Sequence, residues 1–482
     1  MRGKVGWAVV ATAASAVTFF FGTGLDPVPE LAWVAPLPIL LLAPRVPAAA
    51  AMACAFLAHL AGGSGSWSYF WHSQSVPRPA ALAILGGSAV LFAVATGLFR
   101  ALVRRGHGLL AALAAPGFWT VVLYGVSLLN PTGVMDTLMT TQADRPSVLR
   151  LATVTGGWGI EYLVLFVPAA VAAALAPRVH GLARVAGLVT VTVTVTAAVG
   201  GLLLWTTPPP TGPSTRLALV APGRNHWAPD VTTPDGQAVL KSYVDQIGRL
   251  PDGVRVVVLP EAAFAVDQTG RPLLVEALTE VARRRNVDVV TGVVDTTPDG
   301  RFNAALAIPP SGPPVEYRKW HNGDSPNLTA GTGLAHVGGA GLMVCMDVNF
   351  ADPSGEYGRA GTGLVLIPAS DEDADGWAHS RTALIRGVEN GFSVAWSAAR
   401  GTPMLADAQG HVRAEARTGD SPFTVVVADV PIGPGKTPYA RFGDWFAWLC
   451  GLLALIGAAV TLFGRTPRKA PTPAGPATTV GA

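Results

Sequence analysis

Charge is scarce in this chain. Asp, Glu, Lys and Arg make up 13% of its 482 residues, about half the share of an average soluble protein. That shortfall, with a mean hydropathy of +0.40, excludes a wholly soluble assembly and points to lipid as solvent for much of the molecule. The formal net charge is only +3, and no basic stripe interleaved with aromatics is present, so no nucleic-acid partner is expected. Cysteine is rarer still. Cys54 and Cys450 sit in apolar runs far from each other and from Cys345, which excludes a disulfide framework. No CxxC pair or His/Cys cluster suggests zinc, so neither metal nor cofactor is expected. The acidic run "SDEDADG" (370–376) lacks the spacing of an EF-hand and reads as a solvated or substrate-facing loop. No internal repeat is present.

What the chain does have is long apolar runs. A hydrocarbon core takes about 20 helical residues to cross, and candidates lie at 5–24, 29–44, 47–63, 80–102, 108–129, 150–176, 184–205 and 443–464. Pro36, Pro38 and Pro47 interrupt the second and third. Arg2 and Lys4 before the first run imitate a signal peptide, but further spans follow at once, and an uncleaved helix is expected. With eight alternating spans and a cytoplasmic N-terminus, the inner segments carry Arg2, Lys4, Arg45, Arg100, Arg104, Arg105, Arg178, Arg184, Arg465, Arg468 and Lys469. The outer loops and span edges carry only Arg78, Arg145 and Arg150. By the positive-inside rule both ends are cytoplasmic and the insert between spans seven and eight is outside. His59 and His72 near the outer face read as interfacial, and Trp67, Tyr69, Phe70 and Trp71 as an aromatic belt or a lipid entrance. Glu161, within the sixth span, is costly in lipid and should face the bundle interior.

The insert, 211–435, changes character. Short β-rich runs such as "RLALVAP", "VRVVVLPE", "GLMVCMD" and "GLVLIPAS" alternate with helical stretches such as "GQAVLKSYVDQIGRL" and "HSRTALIRGVENG", the last with Gly391 as its C-cap. Alternation followed by paired strands fits an α/β or layered α+β domain. The organisation is therefore a membrane domain of about seven helices (1–210), an extracytoplasmic domain (211–435), a final membrane helix (436–466) and a low-complexity, disordered tail (467–482).

Three polar residues stand at the tips of apolar β runs, where α/β sheets collect ligand-binding groups. Glu261 ends "VRVVVLPE", Lys319 ends "VEYRK" and Cys345 ends "GLMVC". Singly, each has a bland reading as a loop residue or a small core hydrophobe. Together they are chemically complete. A thiol is mostly protonated near neutrality and takes a base to become a nucleophile. A carboxylate can accept that proton, and a lysine can favour the thiolate and then hold an oxyanion.

"LPEAAF", "YRKWH" and "VCMDVNF", in this order, resemble the Glu–Lys–Cys triad of the nitrilase (carbon–nitrogen hydrolase) superfamily, whose fold is an α-β-β-α sandwich. The separations of 58 and 26 residues fit that superfamily, and "RFNAALAI" and "GLVLIPAS" match its flanking strands. The membrane frame resembles the apolipoprotein N-acyltransferase family, whose catalytic domain lies outside, between the seventh and eighth of eight helices. "GGWGIEYLVLF" is similar to that family's sixth-helix motif, "TPYARFGDWF" to the stretch entering its last helix, and Trp227 to a tryptophan near its acyl-binding mouth. Departures are present. The loop after Lys319 reads "HNGDSPNLTAG", with Asn327 where the family carries glutamate and Asp324 the only nearby carboxylate. Met346 and Asp347 replace its Tyr-Glu, and "PGRN" replaces an early "QGN". These mark a divergent bacterial paralogue.

The resemblance implies an eight-span α-helical bundle with an inserted α-β-β-α domain, in the bacterial inner membrane. It implies Glu261 as general base, Lys319 at the oxyanion and Cys345 as nucleophile of a ping-pong acyl transfer from a phospholipid to a lipid-modified lipoprotein. Trp227, Asp324, Met346 and Asp347 would contact substrate, and the protein would act as a monomer. A membrane-tethered amidase and an inactive lipoprotein-binding scaffold are the competing readings.

Overall fold

The computed structural model describes residues 2–73, 77–177, 213–223, 227–323, 325 and 327–464. The expected seventh span (184–205), the tail (467–482) and Asp324 lie outside the described residues. Among the described residues six helices are long and apolar enough to cross a membrane: Val5–Gly22, Ala48–Ser66, Arg78–Arg104, Gly108–Leu129, Gly157–Ala174 and Trp445–Phe463.

The expected second span is interrupted. Residues 29–44 form two short helices, Pro29–Val34 and Leu37–Leu42, rather than one continuous crossing. Pro36 and Pro38 each lack an N–H donor, so the helix cannot run through them unbroken. The whole stretch is about 24 Å long at 1.5 Å per residue. It packs inside the bundle, where the Ser15 hydroxyl of the first helix donates to the Ala35 carbonyl. The expected sixth span starts later than 150. Short helices Pro146–Leu149 and Ala152–Thr155 precede it, and the long helix begins at Gly157.

The insert is a two-sheet sandwich with helices outside, the α-β-β-α arrangement expected. One sheet has the order β13-β1-β2-β4-β5-β6, with β3 paired to β4. Its strands are β1 (Ser214–Ala221), β2 (Val256–Val258), β3 (Phe264–Val266), β4 (Asp288–Thr297), β5 (Gly300–Ile308), β6 (Val315–Arg318) and β13 (Thr424–Pro431). The second has the order β12-β11-β10-β9-β8-β7. Its strands are β7 (His336–Val337), β8 (Ala340–Leu342), β9 (Leu364–Ser370), β10 (Ser393–Ala399), β11 (Met404–Ala406) and β12 (Val412–Glu415).

Side chains alternate faces along a strand, and here both faces are apolar because both are covered. Leu217 and Leu219 of β1 join Val365 and Val394 in the core between the sheets. Ala218 and Val220 face the other way, onto Leu240, Tyr243, Leu274 and Leu278 of the outer helices Pro234–Gly248 and Gly270–Arg285. On the opposite side the helix Gly376–Asn390 packs between β10 and the membrane domain, which is why it is buried nearly all round. Gly391 ends it with φ +77°, a left-handed turn that glycine adopts without strain.

That helix joins the two halves. Glu389 accepts a 2.6 Å bond from the Gly157 N–H, placing a carboxylate at the first turn of a membrane helix. A Cβ at Gly157 would stand 2.3 Å from the Met139 sulfur, so only glycine allows this approach. Arg381, buried in the same helix, bridges Asp144 of the membrane domain (2.6 Å) and Glu415 of β12 (2.6 Å). Glu161 faces the bundle interior, as its cost in lipid requires. It accepts from the Trp119 indole (2.7 Å) and from the Met139 N–H (2.8 Å). His59 is not interfacial: its ring packs among Phe19, Phe92 and Trp119 inside the bundle.

Candidate active site

Three strand ends converge where the two sheets meet. The Glu261 N–H, just past β2, donates to the Ala369 carbonyl of β9 at 3.1 Å, tying one sheet to the other. The Ser397 hydroxyl of β10 makes a second tie to the Val258 carbonyl at 2.8 Å. Lys319, just past β6, places Nζ 2.8 Å from Glu261 Oε1. Both side chains are 3% exposed, so this is a desolvated ion pair. Removing one member of such a pair costs about 3–5 kcal/mol, because the other charge is left buried and unpaired. The Asn303 amide of β5 donates to the same oxygen at 2.6 Å, and fixes the carboxylate further.

Cys345 follows β8 and opens a tight 3-10 turn, Cys345–Asn349. Its φ is +39°, in the left-handed region that non-glycine residues enter only under constraint. The thiol lies 3.4 Å from the Ser370 carbonyl. Burial pushes its pKa well up, the Glu261 charge adds to the rise, and Lys319 opposes it. The resting sulfur is therefore protonated, and its activation takes a base.

Asp347 supplies the constraint, and its place corrects the expectation that it contacts substrate. It is fully buried and does not line the cavity. Its carboxylate accepts from the Tyr317 hydroxyl (2.7 Å) and from the N–H groups of Trp320 (3.1 Å), His321 (3.1 Å) and Val344 (3.2 Å). One side chain thus clamps the turn of the thiol to the loop of the lysine.

A cavity of about 310 Å³ opens over the thiol. Glu261, Cys345 and Met346 line it, with half-exposed Trp227. Tyr69 and Met135 reach in from the membrane domain. Tyr69 is the one member of the expected aromatic belt to do so, and its hydroxyl donates to Asp375 at 2.5 Å.

Asp371 and His379 were missed as site residues by sequence reasoning. Both line the cavity and both are buried. Asp371 belongs to the acidic run, read as a solvated or substrate-facing loop, which the structure folds into the cavity wall. His379 Nδ1 lies 2.9 Å from Asp371 Oδ1, and the donor atoms of Cys345, Asp371 and His379 all fall within 4.8 Å of one another. Asp371 and His379 spend an acceptor and a donor on each other, which suits a proton relay better than a closed metal site. The available signal was an Asp and a His eight positions apart across a strand-to-helix loop.

Residues 15–170 match the family profile of the apolipoprotein N-acyltransferase N-terminal domain. An apolipoprotein N-acyltransferase of Geobacter metallireducens is 25% identical, covering 92% of each chain. One of Gloeobacter violaceus is 28% identical, covering 49% of this chain and 50% of its own. A solved Nesterenkonia amidase of the nitrilase superfamily is 20% identical with a TM-score of 0.40, covering 49% of this chain and 96% of that one. Residues 15–170, about a third of the chain, thus match a domain model of the apolipoprotein N-acyltransferases, and nearly the whole length aligns to a relative of that name.

Proposed function

We propose that this protein transfers an acyl chain from a membrane phospholipid, through a thioester on Cys345, to the α-amino group of the diacylglyceryl-cysteine at the N-terminus of apolipoproteins. The observation that carries the reading is the shared cavity. Glu261, held by buried Lys319, and a thiol on a constrained turn face a space walled partly by Tyr69 and Met135 of the membrane domain. A hydrolase of small soluble amides has no use for such a wall.

Glu261 takes the thiol proton and the thiolate attacks the ester carbonyl. Lys319, with the N–H of Met346, stabilises the oxyanion. The C–O bond breaks, Glu261 returns the proton to the glycerol oxygen, and lysophospholipid leaves. The amine then attacks the thioester, which reacts with amines far better than an oxygen ester does. Both substrates are anchored in one bilayer, which removes much of the cost of bringing them together. Trp227 and Met346 line the acyl path, and Asp324 contacts the acceptor. The basic residues support an inner-membrane protein with residues 211–435 outside.

The test is intact-mass analysis of lipoprotein N-termini in a strain lacking this gene, with and without the restored chain. Loss of one acyl chain per lipoprotein, recovered by the wild type and not by Cys345→Ser, is expected. Unchanged N-termini, or release of ammonia from small amides by the purified protein without transfer, would overturn the reading.

A further inference from the structure

The Glu–Lys–Cys chemistry leaves a buried pair unused. Asp371 Oδ2 and His379 Nε2 are both without a hydrogen-bond partner, although the side chains are 0% and 8% exposed. Both residues line the cavity over Cys345. An orphaned buried polar atom is costly, so two of them on residues that line one cavity, with donor atoms within 4.8 Å of the Cys345 sulfur, mark a place where a ligand can complete the bonds.

The lining says which ligand. Glu261, Asp371, Glu372 and Asp375 line the cavity; Lys319 balances Glu261 and Arg400 balances Glu372, which still leaves more carboxylates than cations around the site. A cavity of that balance favours a cation. In the second half-reaction the nucleophile arrives as one, since an α-ammonium has a pKa of about 8 and is mostly charged near neutrality. It cannot attack a carbonyl until a proton leaves.

We propose that the Asp371–His379 pair is the base that deprotonates the acceptor ammonium, inside an acidic cavity wall that draws the cation to the thioester. The proposal rests on the acyl-transfer reading above. Neutral His379 takes one proton from the ammonium and Asp371 holds the resulting imidazolium. The free amine attacks the thioester carbon, forming the C–N bond. The C–S bond then breaks and sulfur leaves as thiolate. The second nitrogen proton passes through Glu261 to that thiolate, and His379 returns its proton to water. Glu261, its Oε1 held by Lys319 and Asn303, serves the second of these transfers through Oε2.

The groups facing His379 set its basicity. They are Asp371, Asp375 and Glu261, with the thiol of Cys345 close by and the Trp396 ring packed 4.7 Å away. Burial opposes the imidazolium, but the Asp371 hydrogen bond and charge outweigh it and raise the pKa above the ordinary 6.5. Asp371 is itself pushed up by burial, while the His379 bond holds it down. Trp396 Nε1 helps in the same direction without reaching ordinary hydrogen-bond geometry. A base whose pKa is raised comes closer to that of the ammonium it must deprotonate, where general-base catalysis is more efficient.

The experiment uses the full chain in phosphatidylethanolamine vesicles. Thioester is allowed to accumulate on Cys345 and is then challenged with a diacylglyceryl-cysteine peptide or with hydroxylamine, an amine already neutral at physiological pH. For His379→Gln, release by the peptide should fall about a hundredfold, while release by hydroxylamine stays close to wild type. Wild-type transfer should decline as pH falls through the raised His379 pKa. In the variant the break should move to the ammonium's own value, about 8. Equal losses with both nucleophiles, or no loss with the peptide, would overturn the proposal. If His379→Gln forms no thioester, Asp371→Asn decides by the same comparison: selective loss supports the pair and uniform or absent loss sinks it. Failure of the wild type to form any thioester would instead refute the acyl-transfer reading.

Discussion

Asp347 shows how one carboxylate can organise a site without touching what reacts there. Four hydrogen bonds from Tyr317, Trp320, His321 and Val344 converge on it, and His321 also stacks on Phe350 with ring centroids 3.7 Å apart. Those donors belong to the segment carrying Lys319 and the turn carrying Cys345, so the carboxylate fixes their separation. An amide at this place would turn its NH2 towards groups that are themselves donors. Asp347→Asn should therefore cost about 3–5 kcal/mol, the range for breaking a buried hydrogen-bonded charge. It should lower kcat for thioester formation while leaving KM for phospholipid nearly unchanged. Thermal unfolding in detergent and a phospholipid titration check both parts. A raised KM at unchanged kcat would return Asp347 to a role in substrate binding.

Among elements, the helix Gly376–Asn390 couples the bilayer part to the chemistry. Its first turns carry His379 into the cavity, Arg381 holds Asp144 and Glu415, and Glu389 caps a membrane helix through Gly157. Arg381 is 4% exposed, so the two carboxylates lean on a desolvated guanidinium. Arg381→Ala would leave both short of a partner across the joint between the domains. With both carboxylates about a third exposed, a loss of about 1–3 kcal/mol is expected, and Arg381→Lys should recover little of it, since a point charge cannot hold two carboxylates in a planar fork. Unfolding followed separately in the two domains checks this. Transitions that separate in the variant but coincide in the wild type would mark Arg381 as the tie, and an unaltered single transition would count against it.

At the scale of the whole molecule, charge and architecture agree on orientation. Arg45 donates to the carbonyls of Leu41 and Leu175, and Arg100 donates to that of Val46, so these basic residues share one end of the bundle. The insert meets the other end, through Asn349 on Thr132 and Glu389 on Gly157. With positive charge retained inside, a reporter fused near Gly300 should be active only if it functions after export, and one at the C-terminus only if it functions in the cytoplasm. Activity of a cytoplasmic reporter at Gly300 would reverse the topology and remove the acyl acceptor with it.

Periodicity and composition are local properties, and what depends on them was legible in the chain. The apolar runs, the layered insert and the places of Glu261, Lys319 and Cys345 at strand tips all follow from residues close in sequence. Pro36 and Pro38 already carried the reason that 29–44 is no continuous helix, because a missing N–H is a covalent fact. Direction and company are not local. Asp347 lies two residues from the thiol, yet it faces away from the cavity because its acceptors are claimed by a segment about 30 residues earlier. Tyr69 and Asp375 are 306 residues apart and meet only because a membrane arm folds over the insert. The run at 370–376 looks like solvated charge until β9 and the following helix draw Asp371 under His379. The sequence by itself thus determined which elements form and which groups stand at their ends. Packing of sheet on sheet and of insert on bundle decided which of those groups face one another, since a buried carboxylate must turn to whatever donor the tertiary contacts supply.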